Sequence, residues 1–124
     1  MPTNIEIIRA HDFMKATVAG KLNFEESKKA LMEIAAAPTP SDDFEIILDT
    51  RKAKLELSIT DLFDLASELA HFRKAFSRKM AVLCPLERFD DAGFFALCAQ
   101  VRDFQVRAFV SFEDAIEWLV VNET

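Results

Sequence analysis

The chain has 124 residues, a formal net charge of −6 and a pI near 4.9. That length suits a single hydrophobic core, and 51% apolar against 29% charged residues excludes a disordered chain. Two glycines and four prolines exclude collagen-like and linker sequences, the acidic balance argues against a general nucleic-acid binder, and two cysteines are too few for a disulfide framework.

In chain order, Ile5 to Ala10 and Phe13 to Ala19 are short β-rich runs separated by His11-Asp12. They read as a β-hairpin, with Gly20 expected to break the second strand. Asn23 opens a helix with Glu26 in the capping position, and Phe24, Ser27, Leu31, Ile34 and Ala35 fall on one face. Pro38 and Pro40 are expected to stop it. Phe44 to Asp49 is a strand whose apolar centre, Ile46-Ile47-Leu48, implies burial on both faces. A cationic loop from Thr50 to Leu57 follows, carrying Arg51, Lys52 and Lys54.

Ser58 starts a second helix, with Asp61 at the capping-box position and Leu62, Leu65, Ala66, Leu69, Phe72 and Phe76 along its apolar face. Met80 to Cys84 is a strand, and Asp90 to about Arg102 is a third helix carrying Phe94, Leu97, Cys98 and Val101. Val106 to Val110 is the last strand. Ser111 and Asp114 cap a final helix through Phe112, Ala115, Ile116 and Leu119. The expected fold class is therefore α/β: a single domain over residues 1–124, with a mixed five-stranded sheet, an N-terminal hairpin and about four helices.

Two stretches carry a family likeness. Val106 to Leu119, ending Ala115-Ile116-Glu117-Trp118-Leu119, is similar to the last strand and helix of the SpoIIAA-like group of the STAS superfamily, which holds anti-sigma-factor antagonists and cytoplasmic domains of sulfate transporters. Ile46-Ile47-Leu48-Asp49 followed by Ser58 resembles that family's strand, acidic end and loop before the regulatory helix. The resemblance implies the STAS fold and a phosphorylatable serine at the position of Ser58. However, Leu57-Ser58-Ile59-Thr60 lacks the preceding acid, second serine and glycine of the usual motif.

Ligands of open α/β sheets gather at the carboxyl ends of the strands. That edge should collect Asp49, Thr50, Arg51, Ser58, Cys84, Arg88 and Ser111. Ser58 is expected first as a helix cap and secondarily as a phosphate site facing Arg51 or Lys54. Asp49 could act as a general base only with a partner in hydrogen-bond reach, so an ion pair or loop-orienting bond is the better reading. His11 and His71 have no metal-ligand spacing around them, and Cys84 and Cys98 read as packing thiols. No metal or cofactor is expected.

The chain has twelve phenylalanines and no tyrosine. Phe94 and Phe95 are adjacent, so one helix cannot turn both fully onto one face. One of them, with His71 nearby, is expected to border an oligomer contact, a partner or an apolar ligand. The leading expectation is thus a non-enzymatic regulatory or protein-interaction module, binding a partner protein or forming a homodimer. The alternative is a carrier or sensor of a small apolar or lipid-like ligand in a Phe-lined cleft. An enzyme using Asp49 or Cys84 ranks below both, because no constellation supports it. The sequence offers no secretory signal and no run long enough to span a membrane, so a cytoplasmic location is expected.

Overall fold

The computed structural model describes residues 4–10, 13–36 and 45–120. In chain order these form β1 (Asn4–Ala10), β2 (Phe13–Leu22), α1 (Phe24–Ala36), β3 (Glu45–Leu55), α2 (Ile59–Glu68), β4 (Met80–Leu83), α3 (Phe89–Val101), β5 (Val106–Phe109) and α4 (Phe112–Val120). Short 3₁₀ turns follow α2 (Leu69–Phe72) and precede α3 (Leu86–Arg88). The proposed hairpin turn at His11-Asp12, the helix-stopping Pro38 and Pro40, and Phe44 lie outside the described residues.

The body of the sheet is four parallel strands in the order β2-β3-β4-β5, as single-helix crossovers demand. β1 adds to its β2 edge in antiparallel register, Asn4 opposite Ala19 and Ala10 opposite Phe13. The sheet divides two unequal apolar layers. On one side Met14, Val18, Leu48, Met80 and Val82 pack under α1, α2 and α3. On the other, Ile47 and Ala81 meet Ala115 and Leu119 of α4. Ile46, Ile47 and Leu48 are all buried because successive side chains enter opposite layers, both of which are covered.

Several boundaries differ from the sequence reading. Gly20 does not end β2; the strand continues through it to Leu22, and Gly20 takes φ +90, a left-handed conformation that suits glycine. The expected loop from Thr50 is instead the second half of β3, where Ala53 pairs with Gly20 and Leu55 with Leu22. A register shift makes this extension possible. Thr17 pairs with Asp49 but Ala19 with Lys52, so Thr50 and Arg51 together face Val18. This bulge reverses the alternation and returns Ala53, 5% exposed, to a buried position.

The second helix stops at Glu68 rather than running to Phe76. The Leu69 N–H bonds to both Ala66 O and Ser67 O, tightening the chain into a 3₁₀ turn. Leu69 and Phe76 stay buried although the α-helix has ended: Leu69 lies in that turn, and beyond it the Phe76 N–H donates to Phe72 O at 3.2 Å, which carries the ring back to the core. On α3 the expected face is also displaced. Phe95, Ala96, Cys98 and Ala99 are buried, whereas Leu97 and Val101 face solvent. The helix is apolar nearly all round, so its sequence period marks no face.

Candidate functional site

The bulge in β3 splits the residues expected to share one edge. Asp49 and Thr50 are adjacent and both buried, but they serve opposite layers. Asp49 accepts from the Arg51 backbone N–H at 3.0 Å and from Arg51 Nε and Nη2 at 3.0 and 2.9 Å. Lys15 Nζ stands 3.9 Å from the same carboxylate and 5.3 Å from the centre of the Phe112 ring of α4. Burial pushes the Asp49 carboxyl up, but the Arg51 hydrogen bonds and the charges of Arg51 and Lys15 outweigh it and hold the group below its ordinary range. A carboxylate engaged this way is a structural anion. It orients Arg51 and ties the bulge to α4.

Thr50 lies on the other side, where its Oγ1–H donates to Leu83 O of β4 at 2.9 Å. Next to it stands Arg88, whose Nη2 donates to Ala53 O at 2.6 Å and Thr50 O at 3.2 Å. Arg88 thereby pins the segment before α3 to the extended half of β3. Its Nε is buried and has no hydrogen-bond partner.

These groups form one end of a cavity of about 80 Å³ between the sheet and its three-helix layer. Val18 and Leu22 of β2, Leu48 and Leu55 of β3 and Val82 of β4 provide the sheet wall. Ala30 and Leu31 of α1, Leu62 and Leu65 of α2, and Ala92 and Phe95 of α3 close it from the helix side. The polar groups of the lining are few: Thr50, Cys84, Arg88 and Asp91 toward α3, and Ser27 on α1. The Ser27 Oγ is likewise buried without a partner. The lining corrects one sequence expectation: leucines and valines dominate it, and Phe95 is its one phenylalanine.

Cys84 is 1% exposed, and its Sγ lies 3.6 Å from Phe109 O. Burial pushes its thiol up, with Arg88 opposing only in part, so the sulfur stays protonated at neutral pH. Cys98 is buried in the main core. Among the described residues no three His, Cys, Asp or Glu side chains cluster as metal ligands.

Ser58 caps α2. Its Oγ accepts from the Asp61 N–H at 3.1 Å, and Asp61 Oδ2 accepts from the Ser58 N–H at 3.0 Å. It is exposed, one residue from cavity-lining Leu57. Ser111 accepts from the Asp114 N–H at 3.3 Å at the start of α4. Phe95 is buried, and Phe94 is half-buried against the same core. His71 is exposed on the 3₁₀ turn, 3.9 Å from Glu68. The structure thus joins Thr50, Cys84 and Arg88 around the cavity, sets Asp49 and Arg51 on the opposite layer, and leaves Ser58 outside. Sequence reasoning missed Ser27, and its small polar side chain on the apolar face of α1 was the available signal.

No protein-family model and no curated protein matches the chain. Among solved structures it is similar to an uncharacterized protein from the DUF3478 family with a SpoIIAA-like fold, from Shewanella loihica. The TM-score is 0.58 and the identity 24%, over 94% of this chain and 93% of that one. The likeness shows a SpoIIAA-like fold. Among the described residues no helix is long and apolar enough to cross a membrane.

Proposed function

We propose that this protein is a non-enzymatic module of SpoIIAA type that senses or carries a small, largely apolar molecule in the cavity under α1, α2 and α3. The cavity carries the reading. Packed interiors leave few gaps larger than a water molecule, and this half-open pocket leaves its apolar lining without packing partners across the gap. Ligand sites in proteins combine such an apolar lining with a few polar groups at one end. Here Thr50, Cys84 and Arg88 are those groups. The candidate nucleophile and base point away from catalysis, since Cys84 is held protonated and Asp49 is occupied by Arg51.

Xenon tests the reading, because it enters dry apolar cavities without needing a polar partner. Under xenon pressure, methyl resonances of Leu48, Leu65 and Val82 should shift together and saturate. Shifts scattered over surface methyls, with these three unmoved, would overturn it.

A second observation supports partner binding by the same module. Ile59 and Phe63 on α2 and Phe89, Leu97 and Val101 on α3 are large apolar side chains left exposed, Val101 to 75%. Isolated exposed leucines are ordinary, but pairs four residues apart on each helix, Ile59 with Phe63 and Leu97 with Val101, suit a protein contact. Sedimentation across concentration distinguishes self-association from a heterologous partner.

A further inference from the structure

Resting on the cavity reading above, we infer that the ligand is a short-chain monocarboxylate, its tail in the cavity and its carboxylate on Arg88. That guanidinium is only partly satisfied. Two backbone carbonyls hold Nη2 in place, yet Nε is buried with no acceptor. Arginine stays charged at any working pH, so burial cannot be relieved by losing the proton. Among the described residues no carboxylate lies within ion-pair distance of Arg88, although Arg51 and Arg78 each have one. Asp91 shares the cavity rim but is exposed and forms no ion pair with Arg88.

An unpaired buried donor on a permanent cation calls for an acceptor, and an anionic oxygen satisfies charge and hydrogen bond together. The Thr50 hydroxyl is already committed to Leu83 O, so it fixes the wall rather than competing for the ligand. Size supplies the other half of the class. The cavity of about 80 Å³ is near half of the ~150 Å³ that accommodates benzene in an engineered apolar site. By that ratio a tail of about three or four carbons is the largest that enters without repacking, which excludes long acyl chains from the space as it stands. Leu48, Leu65, Val82 and Phe95 offer such a tail no polar contact.

The test titrates isotope-labelled full-length protein with pentanoate, pentan-1-ol and pentylammonium, following the Arg88 Nε–H resonance and the Leu48 and Val82 methyls. Pentanoate should bind at least about tenfold more tightly than pentanol, which one charge-assisted hydrogen bond supplies. Pentylammonium should not bind measurably. The Nε–H should move only with pentanoate, while the methyls should move with both pentanoate and pentanol. Arg88→Gln should bring the two affinities within about twofold of one another, and Arg88→Lys should restore part of the preference. Because Arg88 also braces the wall, the wild-type ligand comparison decides the matter even if Arg88→Gln unfolds. Equal affinity for acid and alcohol in the wild type would overturn the head-group assignment while leaving the cavity reading intact. No methyl shift with either, or shifts unaffected when Ala92→Leu fills the cavity, would remove the cavity reading itself.

Discussion

Asp49 and Arg51 stand two residues apart on β3, across the bulge, and are joined by three hydrogen bonds, two of them from the guanidinium. The pair turns an irregular stretch of strand into a fixed one. Asp49 is the deeply buried member, with a side chain 6% exposed against 43% for Arg51. Its sequence neighbour Thr50 is thereby directed to the opposite layer, where it lines the cavity.

This arrangement has a pH signature. The pKa of the Asp49 carboxyl is depressed in the folded protein, whereas an unfolded aspartate titrates at about 3.9. Its contribution is therefore complete above that value and is lost as pH falls through the lower folded value. Asp49→Asn should cost about 1–2 kcal/mol at neutral pH, toward the lower end because Arg51 is partly solvated. The difference between wild type and variant should shrink progressively below about pH 4. Urea unfolding at several pH values measures it, and a constant difference from pH 7 to pH 2 would refute the assignment.

The capping box at α2 gives a second expectation. Ser58→Ala should lower stability by about 1 kcal/mol, because the Asp61 N–H loses its acceptor at the end of a helix. Asp61→Ala should cost less, since the Ser58 N–H it leaves is exposed to water. The two bonds share one turn, so the double variant should lose less than the sum of the singles. Thermal melts of the four proteins decide this, and strict additivity would show that the two bonds do not act as a unit.

The sequence made these caps legible because Asn23, Ser58 and Ser111 each announce a helix start through local chemistry that no distant contact overrides. The parallel strands were legible for a similar reason: Ile46-Ile47-Leu48 and the run from Met80 carry no charge. What escaped was non-local. Thr50 to Lys54 reads as a cationic loop, and only pairing of Ala53 and Leu55 with β2 makes it a strand. α3 lacks a polar face, so its period could not tell Leu97 from Phe95. The cavity escaped too, because its walls come from six elements and no sequence pattern encodes a gap among them.

Cys84 offers a chemical readout of the same region. Its sulfur is buried beside the cavity, and the pKa is raised, so both access and thiolate fraction are low. With an aromatic disulfide reagent at pH 8, native Cys84 should react at least about 100-fold more slowly than in urea-unfolded protein. Any ligand that occupies the cavity should slow it further, by stabilising the closed state in proportion to occupancy. Mass spectrometry of digested protein separates Cys84 from Cys98. Rapid labelling of Cys84 in folded protein would mean that the cavity opens far more freely than its packing implies.

The last expectation concerns α3, where neighbours in sequence should behave in opposite ways. Phe95 is 7% exposed and lines the cavity, while Leu97, two residues on, is 57% exposed. Phe95→Ala should cost about 3–5 kcal/mol, the range for emptying a buried aromatic position, and Phe95→Glu should prevent folding altogether. Phe94 is half-buried against the same core, so Phe94→Ala should cost less, about 1–2 kcal/mol. Leu97→Glu and Val101→Glu should leave stability within about 0.5 kcal/mol, because each removes an apolar group already facing water. If the exposed faces of α2 and α3 form a protein contact, these two substitutions abolish the association and Phe94→Ala does not. Melting curves report the core positions, and sedimentation velocity across concentration and salt reports the exposed ones. Leu97→Glu and Val101→Glu proteins that unfold would place those side chains in a packed interior, contrary to the structure. Variants that stay folded with unchanged sedimentation, alone and with any partner co-purified from the source, would assign no contact to this face and leave the cavity as the functional surface of the domain.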